Sequence, residues 1–213
     1  YAGTDKLFLP ANNLDQLQKY IGNEGDVPRI HKMGGRDWAK VVTKAKKSID
    51  DLADKLVEIY AQREITEGFA FLPDQPWQQE FEDAFPYEET EDQLQATAEI
   101  KASMEKPVPM DRLLAGDVGF GKTEVAMRAI FKAVMSGKQV AVLVPTTVLA
   151  QQHFQTFWNR FAPFGVKVDV LNRFRSTSEK KQVLKGVEDG SIDVLIGTHS
   201  LLNKKVVFKD LGM

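Results

Sequence analysis

The 213-residue sequence predicts an α/β fold, a parallel sheet covered by helices on both faces, preceded by one long helix and a short N-terminal piece. Three observations carry this. From Pro73 onward, short apolar runs alternate with helical stripes, the pattern of parallel strands joined by crossover helices. A glycine-rich octapeptide, GDVGFGKT at Gly116–Thr123, sits between an apolar run and a helical stripe. Upstream of both, residues 36–70 keep a single apolar stripe at a 3.6-residue period.

Residues 1–35 open on an apolar strand candidate, Leu7–Phe8–Leu9, stopped by Pro10. Asn12 or Asn13 is suited to cap a short helix through Leu14, Leu17 and Ile21, with Gly22 at its end. Ile30 to Met33 is a further apolar run, broken by Gly34–Gly35. This is too little to bury a core alone. Because Tyr1 is also not a natural start, the stretch reads as the end of a small β-containing domain in an excerpt of a longer protein. The stripe that follows runs through Trp38, Val41, Val42, Ala45, Ile49, Leu52, Leu56, Ile59 and Tyr60. Thirty helical residues would span about 45 Å, so residues 36–72 read as a linking helix lying across a neighbouring domain, with Gly68 as its stop. The remainder, 73–213, is the α/β domain.

Within that domain, Leu113–Ala115 reads as the end of a strand, and Val125, Ala126, Ala129, Ile130, Ala133 and Val134 as a helix after the octapeptide. Gly137 is a stop. Gln139 to Val144 is an apolar strand closed by Pro145, and Leu149, Phe157, Trp158 and Phe161 mark the next helix. Val166 to Leu171 is a third strand. Ser176 and Glu179 have capping-box spacing for a helix that Gly190 closes. Ile192 to Ile196 is a fourth strand and Val206 to Phe208 a short fifth. Ligands of such sheets sit at the carboxyl ends of the strands, the edge where the octapeptide and the loops discussed below fall.

The composition is that of an ordinary globular chain, with 43% apolar and 27% charged residues. No apolar run reaches the length of a membrane span, and no signal peptide opens the sequence. The absence of cysteine excludes disulfides and thiolate metal sites and fits a reducing, cytoplasmic location. The net charge of −2 hides an uneven distribution. Asp74 to Glu105 holds ten acidic residues against one lysine, and Lys167 to Lys185 six basic against two acidic. A nucleic-acid surface is expected on the second segment, and the first reads as a solvated acidic face.

The octapeptide is a phosphate cradle made of backbone. Gly116, Gly119 and Gly121 let consecutive N–H groups turn onto a polyanion, with Asp117, Val118 and Phe120 completing the loop. The helix N-terminus behind it favours negative charge. Lys122 is placed to reach the β- and γ-phosphates of a nucleoside triphosphate, and the Thr123 hydroxyl to coordinate Mg²⁺. Upstream, Thr90 and Gln93 in FPYEETEDQ have the spacing of a capping box, which by itself explains the pair. The functional alternative is that the Gln93 amide reads an adenine edge while Phe85 stacks on the ring. Three further loops follow strands. PTTVLAQQH offers Thr146 and Thr147 as helix caps or as phosphate contacts, NRFRS offers Arg173 and Arg175, and GTH offers Thr198 and His199. Each is a common loop sequence; all three at one sheet edge are a candidate nucleic-acid track.

GDVGFGKTEVA, PTTVLAQQH, RFRS and GTHSLL, in this order and spacing, resemble motif I, motif Ia and their successors in the first motor lobe of superfamily 2 helicases. More narrowly, Phe120 and Glu124, IYAQR at Ile59–Arg63, GFAF at Gly68–Phe71, and FPYEET resemble the bacterial transcription-repair coupling factors. The resemblance covers nearly the whole chain. It implies a RecA-like lobe of an ATP- and Mg²⁺-dependent translocase on double-stranded DNA, one that displaces stalled RNA polymerase and recruits an excision-repair damage-recognition protein. On it, residues 1–35 end the polymerase-interacting domain. Gln93 and Phe85 contact adenine, Glu124 joins the nucleotide site, and Thr146, Gln151, Arg173, Thr198 and His199 track DNA. Glu91 departs from the motif, which carries proline there. The chain has no Asp-Glu dipeptide, so the acidic DEEH box that such a motor needs is expected just beyond Met213, and this stretch alone is expected to bind nucleotide without turning it over. Two alternatives stay open: a RecG-type fork-reversal helicase lobe, and a non-hydrolysing docking module whose main surface is residues 1–72.

Overall fold

A computed structural model of the chain describes residues 6–16, 32 and 36–213. Internal contacts divide the chain into two units, Tyr1–Gln62 and Arg63–Met213. In the first, Leu7–Leu9 forms no strand, because no segment among the described residues pairs with it. A kinked 3-10 helix follows at Ala11–Gln16. Asn12 and Asn13 lie inside it and do not cap it, since the turn begins earlier, with the Asn13 N–H donating to the Pro10 carbonyl at 2.9 Å. The expectations for Leu17, Ile21, Gly22, Ile30–Met33 and Gly34–Gly35 fall outside the described residues. The long stripe is one unbroken helix, α1 (Arg36–Ile65), with no glycine or proline inside it.

Gly68 is not the stop of α1, which ends three residues earlier. Its role is close approach: a Cβ there would lie 2.5 Å from the backbone of Val108 and Pro109, and its N–H donates to the Pro107 carbonyl at 3.1 Å. The second unit continues with α2 (Pro76–Asp83), α3 (Glu91–Met104), α4 (Lys122–Met135), β1 (Val140–Leu143), α5 (Thr147–Phe161), β2 (Val168–Leu171), α6 (Thr177–Asp189) and β3 (Val194–Gly197). The capping box of Ser176 and Glu179 opens α6, and Gly190 closes it.

The sheet is parallel with order β1-β3-β2, and β3 pairs Val194 with both Val140 and Val168. Side chains of β3 alternate between two cores, as the period of two requires. Val194 and Ile196 join the larger core with Val125, Ile130, Phe157 and Phe161, while Leu195 joins Val183, Val187 and Leu201 on the α6 side. The larger core holds a file of rings. Phe81 stacks on Phe131 with centroids 4.3 Å apart and on Phe161 at 5.3 Å, and all three are fully buried. Burial of each such ring contributes about 2–3 kcal/mol, so α2, α4 and α5 are held together chiefly here.

Two strands expected in the second unit do not form among its described residues. Leu113–Ala115 runs into the glycine-rich loop with no ladder partner among the described residues, and Leu113 is 90% exposed. Val206 and Phe208 instead pack their side chains against the α6-side core. The outer edge of β1 is met by the chain three residues later, through a parallel bridge of Gln139 with Leu211 and a 2.8 Å bond from Ala141 N–H to the Met213 carbonyl. An apolar run becomes a strand only where a sheet edge is within reach, and local sequence does not report that edge.

Candidate functional site

The loop expected to cradle phosphate has the backbone for it. Gly119 and Gly121 sit at φ +87° and +71°, the left-handed region, and Gly121 is the N-cap of α4. Among the described residues, the N–H groups of Gly119, Gly121, Lys122 and Thr123 donate to no protein acceptor. They are the open donors of a helix N-terminus and the turn before it. The Lys122 ammonium bonds to the carbonyls of Gly116 and Asp117, at 2.6 Å each. It thus folds back over the loop, and an incoming phosphate would offer it a better acceptor. Val118 and Phe120 are exposed at the tip.

The capping box expected of Thr90 and Gln93 forms. The Gln93 Oε1 accepts from the Thr90 N–H at 3.0 Å, and the Thr90 hydroxyl accepts from the Gln93 N–H at 3.3 Å. The remaining amide donor, Nε2, bonds to the Phe120 carbonyl at 3.0 Å. A cavity of about 100 Å³ between α3 and the loop is lined by Thr90, Gln93, Leu114, Gly116, Phe120 and Lys122. Phe85 is not among its lining residues; its ring packs edge-on to Tyr87, with the Arg128 guanidinium 5.5 Å away. Glu124 is 6% exposed, with its carboxylate held by Arg128 at 3.2 Å and Arg160 at 2.9 Å. It faces those arginines.

The three loops at the carboxyl ends of β1, β2 and β3 converge. Thr147, Arg173, Thr198 and His199 line one groove of about 480 Å³, together with Lys180 from α6 and Lys205. Thr146 caps α5, accepting from the Leu149 N–H at 3.2 Å. Gln151 accepts from Asn172 at 3.1 Å and so ties α5 to the β2 loop. The two arginines of NRFRS part company: Arg173 faces the groove, while Arg175 turns back to Asp169 at 2.6 Å and Glu179 at 3.4 Å. Among the described residues no three His, Asp or Glu side chains converge to hold a metal.

Residues 90–213, more than half the chain, match the DEAD/DEAH box helicase family. The chain belongs to that family. The chain also resembles known proteins beyond the matched residues. It is 54% identical over all 213 residues to the transcription-repair-coupling factor of Bacillus subtilis. It is 54% identical over 210 residues to that of Mycobacterium bovis. It spans 18% and 17% of the length of these curated relatives. A solved structure of RecG bound to a three-way DNA junction superposes with a TM-score of 0.68 at 39% identity. That match covers 72% of this chain and 21% of the RecG chain. The parallel sheet, its covering helices and these matches make this a RecA-like helicase lobe.

Sequence reasoning missed the ionic scaffold behind the loop of this helicase lobe. The acidic stretch is not merely a solvated face: several of its carboxylates neutralise cations buried on α4. Arg128 and Lys132 are each 2% exposed. Arg128 donates to Glu89 at 2.7 Å and to Glu124, while Lys132 binds Asp74 and Glu105, both at 2.8 Å, and the Leu72 carbonyl at 2.7 Å. Burial opposes the Arg128 charge, but the bonds it donates to Glu89 and Glu124 outweigh it and raise its pKa. The hydrogen bond from Arg128 holds the Glu89 carboxyl below its ordinary range. For Asp74, burial pushes the other way, and hydrogen bonds from Lys101 and Lys132 overcome it and leave the carboxyl low. Lys180 and Lys205 were also missed as groove residues. The Lys204–Lys205 pair just after GTHSLLN was the available signal.

Proposed function

We propose that this chain is part of the first motor lobe of an ATP-dependent translocase on double-stranded DNA, of the kind that couples transcription to excision repair. What supports the reading is the set of open amides of Gly119, Gly121, Lys122 and Thr123, joined to 54% identity with transcription-repair-coupling factors over the full chain. In this reading Gly116, Asp117, Val118, Gly119, Phe120 and Gly121 wrap the triphosphate. Lys122 exchanges two carbonyl acceptors for phosphate oxygens, and Thr123 supplies a hydroxyl to Mg²⁺, which neutralises charge on the transferred phosphoryl group. Gln93 and Phe85 meet the base, and Glu124 acts from behind the loop by holding Arg128 and Arg160. The groove at the strand ends takes the DNA backbone through Thr147, Arg173, Thr198 and His199, with Thr146 and Gln151 fixing its α5 wall.

The parent protein, on the same reading, is cytoplasmic and acts on stalled RNA polymerase and on an excision-repair damage-recognition protein. Residues 1–35 would end the polymerase-interacting domain, 36–72 link it to the motor and 73–213 form the lobe. The fork-reversal alternative rests on a neighbour with lower identity and shorter coverage. The deciding experiment is a calorimetric titration of ATP with Mg²⁺ into the chain and into Lys122→Ala. Binding to the first and none to the second is expected; equal affinity for both would reject the nucleotide site.

A further inference from the structure

Arg128 ties together segments that flank the candidate nucleotide site, and it does so from a buried position just over a turn beyond Thr123 on α4. Its Nη2 donates to Glu89 at 2.7 Å and its Nε to Glu124 at 3.2 Å. The guanidinium carbon lies 5.5 Å from the centre of the Phe85 ring. Glu89 directly precedes Thr90, the residue whose capping box sets the Gln93 backbone and amide. One guanidinium therefore holds both ends of the Phe85–Glu89 turn against the helix that begins with Lys122 and Thr123.

We propose that Arg128 is a positioning residue for base recognition: it fixes Phe85 and the Glu89–Gln93 segment relative to the phosphate loop, and so sets affinity for the purine while leaving affinity for the triphosphate unchanged. The inference rests on the nucleotide reading above. The geometry requires arginine. Nη2 meets Glu89 and Nε meets Glu124 from separate atoms of one rigid fork whose centre lies near the Phe85 ring, a spread of contacts that the single nitrogen of lysine does not reproduce. Glu124 supplies the fixed end of this linkage, because Arg160 also binds it at 2.9 Å and packs on Phe81 with its guanidinium 3.9 Å from the ring centre. The phosphate-facing amides lie on the other side of Glu124 in the chain and make no bond to Arg128.

The test compares two ligands, ATP and inorganic tripolyphosphate, titrated into the chain and into Arg128→Lys, Glu89→Gln and Lys122→Ala variants, with a thermal melt of each. Arg128→Lys and Glu89→Gln should weaken ATP binding about tenfold, the scale of one charge-assisted hydrogen bond, and change tripolyphosphate binding less than twofold. Equal loss of both ligands, or unchanged ATP affinity, overturns the proposal. Should Arg128→Lys fail to fold, Glu89→Gln decides alone, since the Glu89 side chain is 27% exposed. Lys122→Ala separates the two levels. If it keeps tripolyphosphate, the phosphate site itself is wrong and this inference falls with it; if it loses both ligands, the base-specific comparison stands on its own.

Discussion

Replacing Gly121 with alanine probes the contact between loop and helix α3 that no sequence pattern announces. Gly121 sits at φ +71°, where a residue with a Cβ costs about 1–2 kcal/mol. Its Cβ would also stand 2.3 Å from the Gln93 Nε2, too close for any real pair of atoms. The amide end of Gln93 is flexible, so it would swing away and lose its 3.0 Å bond to the Phe120 carbonyl. That loss, with strain passed to the Thr90 capping box, costs about a further 1 kcal/mol. The control is Gly119→Ala, at φ +87° with nothing within 4 Å of the new Cβ, which carries the conformational cost alone. Urea unfolding should therefore place Gly121→Ala about 1 kcal/mol below Gly119→Ala. In a Gln93→Ala background, where that bond is already gone, the two glycine substitutions should cost nearly the same. Equal destabilisation by the two with Gln93 present, or an undiminished gap between them without it, would refute the reasoning.

Two further outcomes follow from the charges. Asp74 and Glu89 are both held below their ordinary values, so the folded form binds fewer protons than the unfolded chain as pH falls. Stability from these groups is complete above the usual carboxylate range near pH 4 and drains away below it. The melting temperature should fall as pH drops below about 4, and an unchanged or rising value there would contradict the assigned ion pairs. In the groove, Arg173→Ala, Lys180→Ala and Lys205→Ala should each weaken double-stranded DNA binding and flatten its logarithmic salt dependence by about one unit. Arg175→Ala, whose guanidinium is already paired with Asp169 and Glu179, should cost stability more than DNA affinity. Fluorescence anisotropy across a salt series measures both, and a larger affinity loss for Arg175 than for Arg173 would reverse the assignment.

Most helices were legible because their signals are local. The Ser176–Glu179 box, the Thr90–Gln93 box and the Thr146 cap all form as spacing predicts, since each needs only neighbours in the chain. The three paired strands were legible as apolar runs bounded by glycine or proline. Leu113–Ala115 and Val206–Phe208 have equally apolar runs and form no ladder, because pairing depends on which sheet edge lies alongside. The glycine loop was readable because its conformation depends on glycines at fixed spacing, two of which take positive φ.

The amino-acid sequence by itself determined the parallel α/β lobe, the glycine loop with Lys122 and Thr123, and the placing of three polar loops at one sheet edge. Periodicity, capping and glycine spacing are short-range rules, and these features obey them. Tertiary structure decided which groups meet. It turned Arg173 toward the groove and Arg175 away from it, buried Arg128 and Lys132 against carboxylates far off in sequence, and brought the Gln93 amide onto the Phe120 carbonyl. The physical reason is that a buried charge is tolerable only beside its opposite, and the partner is chosen by how the helices pack, over distances that no local pattern spans.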